Sequence, residues 1–361
     1  MGKMYPQLIV RPNNMRSNMA KVVEMCRPSG IGITGVAKGF SCIPQCAKAL
    51  MEAGCTDVGG SRTWTLRRIK EFDPTIPTML TRIPMASEAE EVVRWADTSL
   101  VSEVETLKAL DLEAGKQGKI HKVIIMKDIG DRREGYEIED ELYAAALAAE
   151  KDMPNLYLAG IGANFNCYGS VSPTREKLEG LIACTEKVEE LIGRKVDIIS
   201  TGGTTMFNLL PEGEIPPRIN NIRAGITTIT RADYTWPADI EGRLDVFRLR
   251  AELVELKDKP TLPDGKHGFA ALNEERKYED LGVRRRGIAA VGSQDIGIGG
   301  GTITPVDPRI RIWGSSSDHT LLDLEDCKDD YKLGDYVEFN INYVAAMYLT
   351  MSPDINIIIE N

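Results

Sequence analysis

The chain has 361 residues, which is too long for one ordinary hydrophobic core and suggests a large barrel with an added domain. It carries 44 Lys and Arg residues against 54 Asp and Glu residues, for a formal net charge of −10 at pH 7. Such an acidic surface repels nucleic acid and anionic membranes, so neither is expected as a partner. No run approaches the roughly 18 apolar residues of a membrane span, and the N-terminus lacks the apolar core of a signal peptide.

Cysteine usage points to a reducing compartment. The cysteines form an odd, scattered set without the paired spacing of a metal site. They are Cys26, Cys42, Cys46, Cys55, Cys167, Cys184 and Cys327. Scattered cysteines of this kind are typical of reduced thiols in an intracellular protein, so we expect a cytoplasmic location.

Apolar stretches alternate with helix-like segments for most of the chain. An opening strand over 7–10 and a helix that includes 15–26 are followed by eight apolar stretches, which end near Lys38, Gly60, Pro84, Glu103, Gly130, Asn166, Gly203 and Gly225. Helix-like segments span 41–54, 61–72, 87–95, 103–117, 139–151, 173–192 and 204–210. This alternation predicts an α/β fold with a (β/α)8 TIM-type barrel. An open doubly wound sheet is the alternative, and the count of eight favours closure.

The pattern changes after about residue 231. Alternating or apolar runs replace the helices at 246–257, 286–291, 310–313, 321–324, 336–341 and 355–359, with Gly and Pro between them. We therefore predict a C-terminal, mainly β domain. The predicted boundaries are 11–232 for the barrel, and 1–10 together with 233–361 for the β domain.

Lys38 follows the first buried stretch of the predicted barrel, in the sequence Ile33-Thr34-Gly35-Val36-Ala37-Lys38-Gly39-Phe40. If 31–37 is a strand, Lys38 stands at its carboxyl end, where barrel enzymes place their chemistry. Partial desolvation there lowers the pKa of a lysine and makes its amine nucleophilic, as Schiff-base chemistry with an aldehyde cofactor requires. Taken alone, the residue is better explained as a lysine whose amine reaches out of a core strand.

Two further motifs follow the seventh and eighth stretches. Ser200-Thr201-Gly202-Gly203-Thr204-Thr205 has the small residues and hydroxyls that let backbone N–H groups approach an anion. Asn221-Ile222-Arg223-Ala224-Gly225 places an arginine and a glycine beside it. Each motif alone could be a tight turn with a surface arginine. Together with Lys38, they describe an aldehyde-binding lysine facing a phosphate site across a barrel mouth, which points to pyridoxal 5′-phosphate as cofactor.

These features resemble the alanine racemase-type (fold type III) pyridoxal-phosphate enzymes over nearly the whole chain. Within that family, four segments are most similar to the ornithine racemases: 82–85, 124–136 (IIMKDIGDRREGY), 292–295 (GSQD) and 314–319 (GSSSDH). The resemblance implies a pyridoxal-phosphate-dependent amino acid racemase that interconverts L- and D-ornithine. A racemase for lysine or for a broader set of amino acids is the alternative, and a non-catalytic pyridoxal-phosphate-binding protein is the alternative class.

The resemblance also implies roles for individual residues. Lys38 would be the Schiff-base lysine and one proton-transfer base, while Arg223 would face the pyridine nitrogen. Arg133 resembles the arginine that orients the phenolic oxygen, and Tyr343 resembles a tyrosine that reaches the phosphate or the substrate. The implied cofactor-binding set is Lys38, Arg133, Asn164, Gly203, Thr204, Thr205, Arg223, Gly225, Ile226 and Tyr343.

Arg223 bears on the choice of reaction. An arginine does not readily give up a proton, so a pyridine nitrogen beside it stays largely unprotonated, and this favours α-proton removal and return over transamination. The related decarboxylases have Glu-Pro-Gly-Arg at this place, and this chain lacks that tetrapeptide. Related metal-dependent aldolases use a closely spaced His and Cys near the C-terminus, whereas His319 and Cys327 are too far apart. No metal is therefore expected.

Substrate selection is assigned to acidic residues of the β domain. Asp318 matches a position that meets the distal ammonium of ornithine in the related decarboxylases, and such a carboxylate would discriminate against alanine. The other explanation is an aspartate that caps a turn. Ser317 and Asp295 are further substrate-binding candidates, and Asp323 is weaker because it looks like a strand residue.

Two positions depart from the family pattern. The opposite-face tyrosine of alanine racemases, which comes from the partner subunit, is replaced by Ser293, and a ring-stacking histidine is replaced by Asn164. Racemisation needs acid–base groups on both faces of the α-carbon, so His319 or Ser317 is expected to supply the second one. A head-to-tail homodimer is predicted, with each active site between the barrel of one subunit and the β domain of another. His121 and His267 are predicted to be surface residues.

Overall fold

The structure is a computed structural model, and it describes residues 4–225, 245–266, 268, 278–299 and 301–360. It opens with β1 (Gln7–Val10) and α1 (Pro12–Cys26). Contacts divide the chain into two compact units, Pro12–Leu244 and Met1–Arg11 with Asp245–Asn361. The predicted boundary at 232–233 falls outside the described residues, as do the candidate residues Ile226 and His267.

The larger unit is a closed barrel of eight parallel strands. These strands are β2 (Gly32–Val36), β3 (Asp57–Gly60), β4 (Thr78–Leu80), β5 (Thr98–Val101), β6 (His121–Met126), β7 (Leu156–Ala163), β8 (Ile198–Gly202) and β9 (Asn221–Ala224). Each strand pairs with the next in parallel, and β9 pairs with β2, with Thr34 opposite Arg223. The ring is therefore complete, which confirms the predicted barrel and excludes the open sheet.

Helices follow most of the barrel strands. They are α2 (Pro44–Glu52), α3 (Thr63–Phe72), α4 (Ala89–Trp95), α5 (Val104–Gln117), α6 (Glu139–Lys151) and α7 (Arg175–Ile192). Local chemistry accounts for their ends: the Thr174 hydroxyl accepts from the Lys177 N–H at the start of α7, and Gly193 ends it with φ 78°. The predicted segment 204–210 is a 3-10 helix, Thr204–Leu209, because its N–H groups bond three residues back rather than four.

The barrel strands are apolar because both of their faces are covered. Side chains such as Met79, Leu100, Ile124 and Met126 form a fully buried cluster inside this unit. The helices bury their own apolar stripes against the outer face of the strands, for example with Leu107 of α5. The core thus forms a rigid frame that presents the carboxyl ends of eight strands at one rim.

The smaller unit is mainly β, as expected. Its strands are β10 (Phe247–Pro260), β11 (Val283–Ala289), β12 (Ile303–Pro305), β13 (Arg311–Ser315), β14 (Thr320–Asp323), β15 (Tyr336–Ile341) and β16 (Asn356–Ile359). They follow the order β12-β15-β10-β11-β14-β13, and β1 joins through β10 and β16. Two short helices, α8 (Ser293–Ile296) and α9 (Tyr343–Leu349), complete the unit as described. Its core follows the period of two in β10, where Leu249, Ala251 and Leu253 are buried.

All seven cysteines are free thiols, in agreement with their expected reduced state. Six are buried and Cys167 is exposed. Within the described ranges, none of the helices combines the length and the apolar character needed to cross a bilayer.

The prediction that His121 is a surface residue is wrong. His121 begins β6 and is 2% exposed, with Nε2 2.8 Å from the Ser99 hydroxyl of the neighbouring strand β5. Burial lowers the pKa of His121 to about 4, so the folded protein holds the imidazole neutral at physiological pH.

His121 should therefore make the protein sensitive to acid. A folded-state pKa below the unfolded value gives stability that is present above pH 6.5 and lost as pH falls through about 4. In urea unfolding at pH 7 and pH 4.5, we expect wild type to lose on the order of 2 kcal/mol more than His121→Gln. The same pH dependence in both proteins would show that the imidazole does not titrate in this range.

Candidate active site at the barrel mouth

Lys38 lies just beyond the carboxyl end of β2. It begins a short 3-10 turn, Lys38–Phe40, and the following Ser41 and Cys42 adopt the left-handed backbone region with φ of 48° and 50°. Non-glycine residues in this region are strained, and such strain is concentrated at functional sites. Because this turn occupies 38–42, α2 begins later than the predicted residue 41. Lys38 is thereby placed at the barrel rim, as predicted.

Lys38 is accessible to solvent, yet nearby protein atoms replace much of the water around its amine. This desolvation lowers the pKa of Lys38, and the positive charges of Arg133 and Arg223 lower it further. Cys167 and Glu134 act in the opposite direction. The amine is thus easier to deprotonate than an ordinary surface lysine.

The loop after β6 brings Arg133 and Glu134 to the same rim. It is closed by a backbone hydrogen bond from the Asp128 N–H to the Tyr136 carbonyl, at 2.9 Å. Gly135 has φ 114°, and a Cβ there would lie 2.5 Å from the Asp128 nitrogen, so glycine is required for this closure. The loop is therefore held by backbone contacts.

A buried carboxylate ties this loop to the one after β7. Asp131, 2% exposed, accepts hydrogen bonds from the N–H groups of Cys167, Tyr168 and Val171 at 3.3, 3.0 and 3.2 Å. The Cys167 sulfur then lies in contact with Nη1 of Arg133. The predicted cofactor arginine, Arg133, is thus fixed between two loops.

Arg223 is buried on β9 and makes three hydrogen bonds through its guanidinium. Nη2 donates to the Ala163 carbonyl at 2.8 Å and to Oδ1 of Asn164 at 2.7 Å, and Nη1 donates to the Ser200 hydroxyl. Burial lowers the pKa of Arg223 to about 10, which still leaves it charged at neutral pH. Asn164 in turn donates from Nδ2 to Glu134.

The polar chain continues into the barrel. Ser200 donates to Oδ1 of Asn221 at 2.6 Å, and Nδ2 of Asn221 donates to the Thr34 hydroxyl at 3.1 Å. Thr34 bonds to the carboxyl of Asp57, whose Oδ1 is buried without a protein partner. Burial raises the pKa of Asp57 to about 6. Arg223 is thus connected, through Ser200, to a continuous network of buried polar groups inside the barrel.

Gly202 leaves space for this network. A Cβ at this residue would lie 2.2 Å from Oδ1 of Asn164 and 2.8 Å from Nη2 of Arg223. Any side chain there would therefore break the bond between Asn164 and Arg223. The second glycine of the predicted loop, Gly203, has φ 92°, which glycine adopts without strain.

The loop after β8 has the features of a phosphate site. Thr205 has a buried hydroxyl without a protein partner, which is a polar group suited to an external anion. Gly225 marks a second close approach, since a Cβ there would lie 2.8 Å from the Val36 carbonyl. Together with Gly203 and Thr204, these residues fit a phosphate group.

The predicted residues of the β unit lie on two adjoining segments. In the turn 316–319, the Ser316 N–H donates to the His319 carbonyl at 2.8 Å, and Ser317, Asp318 and His319 are exposed. A Cβ on Gly292, the residue before α8, would lie 2.3 Å from the Ser317 carbonyl oxygen. The backbones of the two segments are thus in direct contact.

The acidic candidates differ in how they are bonded. Asp318 accepts one bond from the Gln294 side chain at 3.1 Å. Asp295 caps α8 by accepting from the Gly292 N–H, and its other oxygen accepts from Ser352. Asp323 is buried in β14 and is paired with Arg284 at 2.7 Å. Asp318 is thus the most accessible of the three carboxylates.

Two other predicted residues begin short helices. Ser293 is the first residue of α8, and Tyr343 is the first residue of α9, which is capped by the Asn342 side chain. Among the described residues, no group of three or more His, Cys, Asp or Glu side chains is arranged to hold a metal ion.

The sequence motifs at the site included Ser200 and Asn221 without giving either residue a role, and sequence reasoning assigned no role to Glu134 or Cys167. The period of two along a strand could have indicated Asn221, which is two residues before Arg223 on the same face. Ser200 is likewise two residues before Gly202. Glu134 and Cys167 lie on irregular loops, for which no comparable periodic signal exists.

A family model described as alanine racemase, N-terminal domain, matches residues 10–230. The chain belongs to the alanine racemase family. Among curated relatives of this family, ornithine racemase from Acetoanaerobium sticklandii is 36% identical over 345 residues, which cover 95% of this chain and 96% of the relative. Lysine racemase from Thermotoga maritima is 36% identical over 357 residues, which cover 99% of each chain.

Solved structures show the alanine racemase fold. The alanine racemase from Streptomyces lavendulae matches with a TM-score of 0.77 at 16% identity, covering 100% of this chain and 98% of that one. A D-threonine aldolase from Filomicrobium marinum matches with a TM-score of 0.68 at 16% identity, covering 96% of this chain and 89% of that one. Since these identities are low, the likeness concerns the fold alone.

Proposed function

We propose that this protein is a pyridoxal 5′-phosphate-dependent racemase that interconverts L- and D-ornithine. The observation that carries the proposal is the convergence of Lys38, Arg133 and Arg223 with a glycine-rich anion loop at one barrel rim. Both curated relatives are named for racemisation of a basic amino acid, as predicted from the sequence. Lysine is the second candidate substrate, because the relative named for it is equally identical.

The residues at the rim fit the cofactor. Pyridoxal 5′-phosphate supplies, when bound, an aldehyde carbon for a lysine amine and a conjugated ring that withdraws electrons from the α-carbon. Lys38 would hold the aldehyde carbon, and the loop containing Thr205 would hold the phosphate. Arg223 would lie beside the ring nitrogen. The roles of Ile226 and Tyr343 in cofactor binding stay predictions from the sequence.

Lys38 would carry the proton on one face of the substrate. Its lowered pKa increases the fraction of neutral amine near neutral pH, and only the neutral amine can take a proton from the α-carbon. Arg133 and Arg223 disfavour the protonated amine by repulsion, so the proton is also readily given back. Return of the proton by Lys38 would restore the starting enantiomer, so racemisation also needs a second acid–base group that gives a proton to the opposite face of the α-carbon.

Arg223 would limit the reaction to proton exchange. Its guanidinium stays charged at neutral pH and has no lone pair with which to accept a proton. Its bonds to Ala163, Asn164 and Ser200 hold it in place. A group fixed in this way would not protonate a neighbouring ring nitrogen, which disfavours transamination.

Asp318 is the better candidate for selecting a basic substrate. Asp295 uses both carboxylate oxygens inside its own unit, whereas Asp318 is exposed and accepts one bond from Gln294. A carboxylate in this state can form a charge-assisted bond with a distal ammonium. Selection by charge would exclude alanine more strongly than it separates ornithine from lysine.

We assign the second acid–base group to the turn 316–319, with His319 before Ser317, because an imidazole can both accept and donate a proton. We propose a head-to-tail homodimer in which this turn of one subunit faces the barrel mouth of the other. The free thiols support the proposed cytoplasmic location. A non-catalytic cofactor-binding role is not favoured, since both curated relatives are named as racemases.

Lys38→Ala should abolish racemisation. We expect a loss of at least about 10³-fold in kcat, because the variant lacks both the amine that binds the cofactor and one proton carrier. The assay is incubation of cofactor-loaded protein with each L-amino acid, followed by separation of enantiomers on a chiral column. Lys48→Ala, which changes an exposed lysine of α2, is the matched control. Full turnover by Lys38→Ala would overturn the mechanism.

Asp318→Asn should reduce the preference for basic substrates. Loss of a charge-assisted bond is expected to lower kcat/KM for L-ornithine by about 10- to 100-fold while leaving that for L-alanine within a few-fold. The ratio of these two values is the measurement, and Asp329→Asn, at another exposed aspartate of the unit, is the control. An unchanged ratio would remove Asp318 from the site.

Mixing two inactive variants tests the shared active site. If Lys38 and His319 act together from different subunits, Lys38→Ala and His319→Ala are each inactive, but a mixed dimer contains one intact pair. We expect a mixture, after dissociation and reassociation, to regain about a quarter of wild-type activity, since half of the dimers are mixed and each has one intact site. If the activity of the mixture stays at background, either the subunit arrangement or the role of His319 is wrong. If His319→Ala is active by itself, the role of His319 is wrong.

A further inference from the structure

The Glu134 side chain lies between two residues that sequence analysis assigned to the cofactor. Its carboxylate accepts hydrogen bonds from Nε and Nη2 of Arg133 on one side and from Nδ2 of Asn164 on the other. Only 10% of the side chain is exposed. A largely buried carboxylate at this place must be compensated by its partners, since an unpaired one would be costly.

Asn164 extends the contact of Glu134 to Arg223. A guanidinium only donates hydrogen bonds and a carboxylate only accepts them, so the amide oxygen of Asn164 must face Arg223 and its nitrogen must face Glu134. The orientation of the amide is therefore determined by its two neighbours. Glu134 is thus linked to both arginines of the mouth, directly to Arg133 and through one side chain to Arg223.

The loop that carries Glu134 does not need its carboxylate in order to fold. The backbone bond between Asp128 and Tyr136, the conformation of Gly135 and the contacts of Asp131 hold the loop independently. A purely structural explanation of the buried carboxylate is therefore weak. Its partner Arg133 acts electrostatically on the Lys38 amine, as does Arg223, to which Asn164 connects it.

We propose that Glu134 is a positioning residue that holds Arg133 and, through Asn164, Arg223, and that its negative charge controls how readily the Lys38 amine exchanges a proton. This inference rests on the proposed racemase function, for which it assigns a further residue. Arg133 and Arg223 carry two positive charges, and among the described residues that shift the pKa of Lys38, Glu134 is the carboxylate that opposes them.

The charges around Lys38 give the direction of the effect. Desolvation is the largest cause of the lowered pKa of Lys38; the charges of Arg133 and Arg223 lower this pKa further, whereas Cys167 and Glu134 raise it. Removing the Glu134 charge would leave the two guanidinium groups uncompensated and lower the pKa further. At the separations found within such a site, one unit charge shifts a pKa by on the order of 1 unit.

The test measures Lys38 directly in the full-length protein without cofactor. Trace labelling with acetic anhydride across pH 6 to 11, read by mass spectrometry of the Lys38 peptide, gives the apparent pKa of the amine because only the neutral amine reacts. We expect Glu134→Gln to lower this apparent pKa by about 0.5–1 unit relative to wild type. Glu134→Asp, which keeps the negative charge, should give an apparent pKa close to that of wild type.

Two controls separate the effect from general damage. Glu137→Gln removes an exposed carboxylate of the same region that pairs with Arg132, and it should leave the Lys38 profile unchanged. The Lys48 peptide, from an exposed lysine, serves as the internal reference and should be unchanged in every variant. A further variant applies if Glu134→Gln is too unstable to label. Arg133→Met removes a positive charge, so the apparent pKa of Lys38 should be higher in this variant than in wild type or Glu134→Asp.

The proposal would be overturned if Lys38 showed the same pH dependence of labelling in wild type and Glu134→Gln. Where Glu134→Gln cannot be labelled, an unchanged pH dependence in Arg133→Met would overturn it. The labelling result is independent of turnover. Protein that shows the Glu134-dependent shift but does not racemise any amino acid would contradict the proposed function alone. Protein that racemises ornithine without the shift would contradict only the role given to Glu134.

Discussion

The buried guanidinium of Arg223 is the constraint on which the barrel mouth depends. Taking a charged group out of water costs several kcal/mol unless hydrogen bonds replace its hydration. Arg223 receives this replacement from a carbonyl, an amide oxygen and a hydroxyl, all neutral acceptors. Neutral acceptors satisfy the donors without neutralising the charge, so the field of the guanidinium extends to Lys38. The burial of Arg223 thus accounts for the polar groups around it. The lowered pKa of Lys38 comes first from the desolvation of the lysine itself and then from Arg133, with a smaller contribution from Arg223.

That constraint also explains residues that would otherwise look unrelated. Gly202 is needed because the bond between Arg223 and Asn164 passes through the space where its Cβ would stand. Ser200 and Asn221 extend the hydrogen bonds from Arg223 into the barrel as far as Thr34. The raised pKa of Asp57 marks the lower end of this chain, where burial is only partly compensated. Side chains in the barrel interior are therefore selected by hydrogen-bond complementarity as well as by volume.

The sequence predicts what depends on local pattern. The eight barrel strands follow from alternation, and the placement of Lys38 and of the loop containing Gly203 follows from their positions at strand ends. What it does not predict depends on register between distant segments. Thr34 lies opposite Arg223 only because β9 closes the ring against β2, and Asn221 lies opposite Ser200 through the register of β9 on β8. The error at His121 has the same origin, because its partner Ser99 belongs to another strand.

Fold alone does not select the reaction, since an aldolase of D-threonine shares this architecture. The barrel carries the groups suited to proton exchange, whereas the candidate for substrate selection, Asp318, belongs to the other unit. Because these residues belong to different units, substitutions that alter substrate selection need not alter the groups that exchange the proton.

The relatives named for ornithine and for lysine are equally identical to this chain, and those two substrates differ by one methylene. The loss of one methylene is worth about 1–3 kcal/mol in discrimination where the pocket packs tightly around it. Asp318 is exposed, so it would distinguish side chains by the presence of an ammonium group and would tolerate a difference of one methylene in length.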